Sequence, residues 1–186
     1  MELKIVTEMT IRQFVAKVSN QQHAMSGAVI AVAAAQAAAL GEACVQISLD
    51  NQVDKLDWHG VSQRIAQIAE LKEELIKCYD YETNVIIDHL DYMVTDKSVS
   101  PHIVFESGVH VGQLILKVIQ LLEEFRPSVF SDLKNDFDIT VKLLLGAAQS
   151  NGLLLNSYLQ LWPDPTLVAE YEPQWAELAQ QLSHYV

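Results

Sequence analysis

The feature that most constrains this chain is an alanine-rich run from Ser26 to Ser48. The run is long enough to cross a bilayer as a helix, which takes about 20 residues. Alanine dominates it, however, and Gln36 and Glu42 interrupt it, whereas a lipid-facing segment favours bulkier apolar side chains. Because alanine has the highest helix propensity, we interpret the run as a buried helix of a soluble protein. A helix that is apolar nearly all round must be enclosed, either by other elements of a monomer or by a second subunit.

The overall charge limits the partners of the chain. Its 186 residues carry a net charge of −12, and half of them are apolar. This length fits a single domain over residues 1–186 with a sizeable core. A general nucleic-acid binder needs a basic surface, so the charge argues against nucleic acid as a partner.

Two further features bear on location. The only cysteines, Cys44 and Cys78, lie in helical patterns, as small buried hydrophobes of a reducing compartment do. The first ten residues lack the basic start and apolar stretch of a signal peptide. We therefore predict a cytoplasmic protein that is not inserted in a membrane.

Apolar residues recur at three- and four-residue spacing along most of the chain, which predicts helices. Thr10 and Gln13 form a capping box that predicts the start of the first helix. Further helices are predicted from Ser26, from Gly60 with a break near 79–82, from Pro101, from Ser131 and from Glu172. No convincing alternating strand pattern is present. The predicted fold is all-α, a multihelical bundle of five to seven helices around the alanine-rich helix.

Two very apolar helices are predicted to begin with polar residues. Ser26 and Gly27 precede the alanine-rich helix, and Ser131 and Asp132 precede a second one that ends near Leu161. A helix N-terminus offers free N–H groups and positive potential, and therefore a place for an anion. Asp132 is a candidate general base there, although plain helix capping is the simpler role. The sequence contains no metal-binding or nucleotide-binding signature.

The order of these segments resembles a known family. The loop His23–Val29 precedes the alanine-rich helix, Ser131-Asp132 opens a later apolar helix, and Asn156 to Gln160 closes it. This arrangement is similar to the formiminotetrahydrofolate cyclodeaminase and methenyltetrahydrofolate cyclohydrolase family, which is all-helical and dimeric. The family has a Gly-Gly-Gly-Ser run before the alanine-rich helix, where this chain keeps one glycine, Gly27. Asp80 is matched to a family aspartate in the middle helix.

The resemblance implies a reduced folate as the small-molecule substrate, no further cofactor, and a homodimer. It implies Asp132 as the catalytic carboxylate, Asp80 as a second one, and His23 as an acid for a leaving amine. It also implies that folate lies against a set of polar residues, with Lys134 or Arg126 binding its glutamate tail. The implied substrate-binding residues are Ser26, Gly27, Ser131, Lys134 and Asn156.

Three functions remain open from the sequence. The first is a folate enzyme that hydrolyses a methenyl bridge or cyclises a formimino group with loss of ammonia. The second is a catalytically inactive helical dimer of the same family that acts as a binding or structural protein. The third is an unrelated helical interaction module. A homodimer is also predicted on physical grounds, because two nearly all-apolar helices are difficult to enclose within one small bundle.

Overall fold

The computed structural model describes residues 9–20, 25–52, 57–86 and 101–185, and every regular element in these ranges is helical. The all-α prediction is therefore confirmed, and so is the predicted number of long helices. The helices are α1 (Ile11–Ser19), α2 (Ser26–Asn51), α3 (Trp58–Tyr81), α4 (His102–Phe125), α5 (Lys134–Leu161) and α6 (Pro165–Leu182). A π-helix, Glu82–Ile86, extends α3, and short 3₁₀ turns follow α4, precede α5 and follow α6.

The alanine-rich helix α2 lies at the centre of the bundle, packed against α3, α4 and α5. Small side chains allow its neighbours to approach closely. A Cβ at Gly41 would lie 2.9 Å from both methyl groups of Leu122 and 3.1 Å from Cγ2 of Thr140. Alanine at Gly41 would therefore displace side chains of α4 and α5.

Helices α2 and α5 run antiparallel. The first half of α5 contacts the second half of α2, where Thr140 meets Gly41. The second half of α5 lies beside the start of α2, because Leu153 and Ser26 line one cavity of about 600 Å³. The start of α5 and the start of α2 are therefore at opposite ends of the bundle.

One side of α2 is not enclosed by the described residues. Exposed residues recur along it every three or four positions, and on α5 Ile139, Leu143 and Leu153 are also exposed, Leu153 by 72%. We call this surface the α2–α5 face. Its α2 members are Ser26, Val29, Ala33, Gln36, Ala43 and Ile47, with Leu40 half-buried among them.

Helix starts differ in part from their prediction. Thr10 caps α1 through the predicted capping box with Gln13. Ser26 was predicted to cap α2, but it is the first helical residue, and the buried Met25 holds the cap position without a side-chain hydrogen bond. Ser131 was predicted to cap α5, which instead begins at Lys134 after the 3₁₀ turn Ser131–Leu133.

The last helix begins earlier than predicted. The prediction from Glu172–Pro173 is wrong, because α6 starts at Pro165 and contains Pro173. Asp164 caps it by accepting a hydrogen bond from the backbone N–H of Thr166 at 2.7 Å. Proline suits the first turn of a helix, where its missing N–H would have no partner. The sequence Asp164-Pro165 therefore marks the true start.

Within the described ranges, two helices are long and apolar enough to cross a membrane by length and composition, Ser26–Asn51 and the segment His102–Ser128. In each, more than half of the apolar window is buried inside the bundle. Core helices of soluble proteins pass the same test, so this finding is weak support for a membrane span. A soluble protein fits both helices.

Candidate functional site

A buried carboxyl group lies at the start of α2. Glu82 is only 6% exposed, and the hydroxyl of Ser107 on α4 donates a hydrogen bond of 2.7 Å to its Oε1. Its other carboxyl oxygen packs against Gly27, where an added Cβ would collide with Oε2. Only glycine fits at this position without moving the carboxyl group. Helices α2, α4 and the end of α3 thus hold one acidic side chain between them.

The π-helix after α3 carries this carboxyl group. Thr83 donates its hydroxyl to the carbonyls of Tyr79 and Asp80, and the amide nitrogen of Asn84 donates to the carbonyl of Asp80 at 2.8 Å. Side chains that bond nearby carbonyls compete with the regular helical pattern. A π-helical turn inside a helix is rare and frequently occurs at functional sites. The break predicted near 79–82 lies at this turn.

Burial controls the protonation of the groups around Glu82. Removal from water raises the pKa of Glu82 above its usual 4.5, and the Ser107 hydrogen bond opposes this only in part. Burial, together with the charge of Glu82, raises the pKa of Cys78 to about 11 and also raises that of Tyr158 on α5. The neutral form of the Glu82 carboxyl group, which can donate a proton, therefore persists to a higher pH than it does in an exposed glutamate.

Asp80, one of the two predicted catalytic residues, lies two positions before Glu82. It is half-buried, and its Oδ1 is a buried atom without a hydrogen-bond partner among the described residues. Burial raises the pKa of this carboxyl group as well. Residues two apart on a helix do not face each other. Asp80 therefore lies at the same end of the bundle as Glu82, on a different side of α3.

The other predicted catalytic residue, Asp132, lies at the opposite end of α2. The backbone N–H of Phe130 donates to the hydroxyl of Ser48, and Gln52 donates to the carbonyl of Ser128. Gly27 and Ser48 lie near the two ends of the 26-residue α2, about 30 Å apart at about 1.5 Å per residue. A single chain therefore does not bring the two predicted helix starts into one cleft.

The predicted substrate-binding residues divide into the same two groups. Ser26 and Gly27 lie at the Glu82 end, and the exposed Asn156 lies on the same turn of α5 as Ser157, which lines the cavity beside Ser26. Ser131, Asp132 and Lys134 are exposed at the far end, where the Ser131 hydroxyl donates to Asp132 Oδ1 at 3.0 Å.

Two other residues singled out from the sequence, Arg126 and His23, are not placed with the residues at either end of α2. Arg126, expected to bind a glutamate tail, is held in ion pairs with Glu123 and Asp138. His23 lies outside the described residues. No group of three or more His, Cys, Asp or Glu that could hold a metal ion occurs in the described part of the chain.

Two cavities flank the start of α2. The cavity shared with α5 is lined by Met25, Ser26, Val29 and Leu153, among others. A second, of about 670 Å³, lies between α1, α2 and α3 and is lined mostly by apolar residues, including Phe14, Val29 and Tyr79. Each is large enough for part of a small molecule. Glu82 lies behind Gly27 and lines neither cavity.

Sequence reasoning missed Glu82 and Ser107, which belong to no motif. The sequence signal was Gly27 itself, because a glycine at the start of an otherwise alanine-rich helix indicates a close approach by another group. The identity of that group depended on how three helices pack.

Comparisons with known proteins agree with this architecture. Residues 10–98 match the family described as Formiminotransferase-cyclodeaminase. The crystal structure of formiminotetrahydrofolate cyclodeaminase from Thermotoga maritima is similar with a TM-score of 0.75 and 15% identity, covering 97% of this chain and 93% of that one. At this identity the likeness shows the fold alone. No curated protein matches the chain. The sequence match and the shared fold together support membership of the formiminotransferase-cyclodeaminase family.

Proposed function

We propose that the protein binds a reduced folate at the start of α2 and acts on its one-carbon unit, with Glu82 as the proton-transferring group. The observation that carries this proposal is the carboxyl group of Glu82, buried and held by Ser107 against Gly27. Family membership supports a folate ligand and argues against the unrelated helical module.

The favoured reaction is cyclisation of a formimino group. The neighbouring folate nitrogen attacks the formimino carbon, a carbon–nitrogen bond forms, and the bond to the departing amine breaks. The amine needs a proton to leave as ammonia, and a neutral carboxyl group can supply it. Because burial raises the pKa of Glu82, this group holds a proton at a higher pH than an exposed glutamate does. General acid catalysis of this kind contributes about 100-fold or more.

Hydrolysis of a methenyl bridge is the second reaction of the proposal. Water adds to the cationic bridge carbon, and a carboxylate accepts a proton from that water. Glu82 performs this step in its ionised form, so this activity is expected to rise with pH as Glu82 loses its proton. The pH dependence thus distinguishes the two chemistries.

One observation favours the alternative of an inactive, folate-binding or structural member. The cap position of α2 is filled by Met25, which is 3% exposed, where the family resemblance implies glycine. With Glu82 behind Gly27, the substrate reaches the carboxyl group only if side chains at this end of the bundle move.

One pair of measurements separates the alternatives. Loss of the near-ultraviolet absorbance of methenyltetrahydrofolate reports hydrolysis, and its appearance from formiminotetrahydrofolate reports cyclisation. Thermal unfolding with and without the folates reports binding. Turnover supports the enzyme, whereas stabilisation without turnover supports the inactive binding protein. Neither turnover nor stabilisation contradicts the folate proposal as a whole.

We also propose that the protein is a homodimer in the cytoplasm. The α2–α5 face supports association, because an uncovered apolar surface of this length is unusual on a monomer. Sedimentation at micromolar concentration tests this, and a monomer would contradict it.

A further inference from the structure

We propose that Asn151, in the second half of α5, is a positioning residue for the carboxyl group of Glu82, on which it acts through the main chain of α4 beside Ser107. The inference rests on the proposed function for its catalytic consequence, whereas its geometry comes from the described residues alone.

Asn151 is a buried polar side chain that bonds one helix to another. It is 1% exposed, and its side-chain amide donates a hydrogen bond of 2.7 Å to the backbone carbonyl of Gly108 on α4. In an α-helix this carbonyl already accepts from the N–H four residues later, that of Gly112. The carbonyl therefore does not need Asn151 as a partner. The bond adds a fixed distance and direction between α5 and α4.

Stability alone gives little reason for an asparagine at this position. Asparagine is a poor helix former in the interior of a helix, and its amide costs free energy on burial unless it is bonded. An aliphatic side chain of similar shape would fill the space without either cost. The best-documented use of a buried polar residue between packed helices is to select one register of the two helices.

The other contacts between α4 and α5 at this level involve glycines. Leu155 of α5 packs against Gly108, where a Cβ would lie 2.6 Å from its Cδ2, and Gly112 lies opposite Asn151, with 3.2 Å between its Cβ position and Nδ2. Dispersion contacts of an aliphatic side chain with glycine backbone are individually weak and have no preferred direction, whereas a hydrogen bond is directional. The bond from Asn151 therefore sets the register of α4 on α5 at this point.

Helix α6 closes around the same contact. Trp175 packs directly on Gly152, the residue after Asn151, so that a side chain at that position would collide with the indole ring. Leu178 lies 3.3 Å from the Cβ position of Gly112. These side chains keep water away from the amide of Asn151, which would otherwise compete for its hydrogen bond.

The carbonyl held by Asn151 lies one residue from the hydroxyl that holds Glu82. Ser107 precedes Gly108, and its hydroxyl donates to Glu82 Oε1 at 2.7 Å. Hydrogen bonds between oxygen atoms span about 2.5–3.0 Å, so a movement of α4 along α5 by about 1 Å, less than the rise of one residue, breaks this geometry. Asn151 thus fixes the position from which Ser107 holds the carboxyl group.

The pH dependence of stability tests this role without folate. Because the Ser107 hydrogen bond lowers the pKa of Glu82, its loss raises that pKa further. The difference in unfolding free energy between a protein and its Glu82→Gln counterpart falls as the pH rises and levels off above the folded pKa of Glu82. We expect this levelling at a higher pH in Asn151→Leu than in wild type. In a Ser107→Ala background, Asn151→Leu is expected to cause no further shift.

The other titratable groups around Glu82 do not disturb this measurement. Among the described residues, the charge of Glu82 acts on Cys78 and Tyr81 of α3 and on Tyr158 of α5. Burial raises the pKa of all three, that of Cys78 to about 11. They therefore stay neutral while Glu82 titrates.

Thr140→Val is the matched control, because it removes a buried hydroxyl of α5 that bonds only the carbonyl of Asp136 in the same helix, at 2.9 Å. Asn151→Ala is the second variant, since it removes the amide without adding volume beside Gly112. An unchanged levelling pH in the Asn151 variants, an equal shift in Thr140→Val, or a shift that persists in Ser107→Ala would overturn the proposal. Loss of folding in both Asn151 variants would also overturn it, because the residue would then be structural.

Turnover gives the second readout. We expect Asn151→Leu to lower kcat for formiminotetrahydrofolate about 10- to 100-fold with little change in KM, and the fall of kcat at high pH to move to a higher pH, since Glu82 is the general acid. Equal kcat values for wild type and Asn151→Leu would overturn the proposal. If the wild type itself shows no turnover, the proposed activity fails, and the pH dependence of unfolding still decides the role of Asn151.

Discussion

The two ends of α2 hold acidic groups in opposite surroundings. At its start, Glu82 is enclosed by three helices, fixed by one hydroxyl, and 6% exposed. At its end, Asp132 lies in an exposed 3₁₀ turn and accepts from its neighbour Ser131. The carboxyl group that the sequence context marks as a candidate, Asp132, is therefore not the one whose pKa is raised by burial, Glu82. Four substitutions sharpen or break this contrast.

The largest effect is expected from Ser107→Ala. The change removes the hydroxyl that donates to Glu82 Oε1 and leaves a buried carboxyl group without that partner, which costs about 1–3 kcal/mol of unfolding free energy. Chemical denaturation measures it. Ser150→Ala is the matched control, because its hydroxyl bonds only a carbonyl on the exposed side of α5, and it is expected to stay within about 0.5 kcal/mol. Equal effects at both serines would contradict the contrast.

The next effect is the pH dependence of stability. Burial raises the pKa of Glu82 above 4.5, so the folded state holds a proton that the unfolded state loses. The stabilisation present below about pH 4.5 is therefore lost as the pH rises through the folded value, at about 1.4 kcal/mol per unit of difference. Glu82→Gln abolishes this loss and is expected to be more stable than wild type at neutral pH. The unfolding free energy of both proteins is measured by denaturation at about pH 4.5 and about pH 8. If it changed by the same amount in wild type and in Glu82→Gln, the raised pKa of Glu82 would be contradicted.

A smaller effect, of about 1 kcal/mol, is expected from Gly27→Ala. The new methyl group would displace the Glu82 carboxyl group and weaken its bond to Ser107, which outweighs the gain in helix propensity. Gly146→Ala on α5 is the control, because nothing lies within 4 Å of its Cβ position, and it should stabilise the protein by up to about 1 kcal/mol. Combining Gly27→Ala with Glu82→Ala should remove the cost of the first change. A cost that persists would mean that Glu82 is not the obstacle.

The smallest effect is expected from Asp132→Asn. The side chain is exposed and does not cap α5, which begins at Lys134. Its unfolding free energy is therefore expected to stay within about 0.5 kcal/mol of wild type. A large loss of stability would identify the residue as structural.

Sequence patterns predicted most of the architecture, because apolar periodicity and the Thr10–Gln13 capping box are local signals. The predicted helix starts were wrong where two possible start signals lie within a few residues of each other. Asp164-Pro165 starts α6 in place of Glu172-Pro173, and a 3₁₀ turn occupies the position predicted for the cap of α5. The site was harder to predict, because Glu82, Ser107 and Gly27 lie on three helices and meet only through packing. Nothing in the sequence near Asp132 indicates that it lies about 30 Å from Gly27 in the same chain.

The most direct test of the account compares turnover of formiminotetrahydrofolate by wild type and by Glu82→Gln under identical conditions. We expect ammonia release and the appearance of methenyltetrahydrofolate with wild type, and a rate about 100-fold lower with the variant, whose folded state remains intact. Equal rates for the two proteins would contradict a proton-transferring role for the buried carboxyl group at the start of α2.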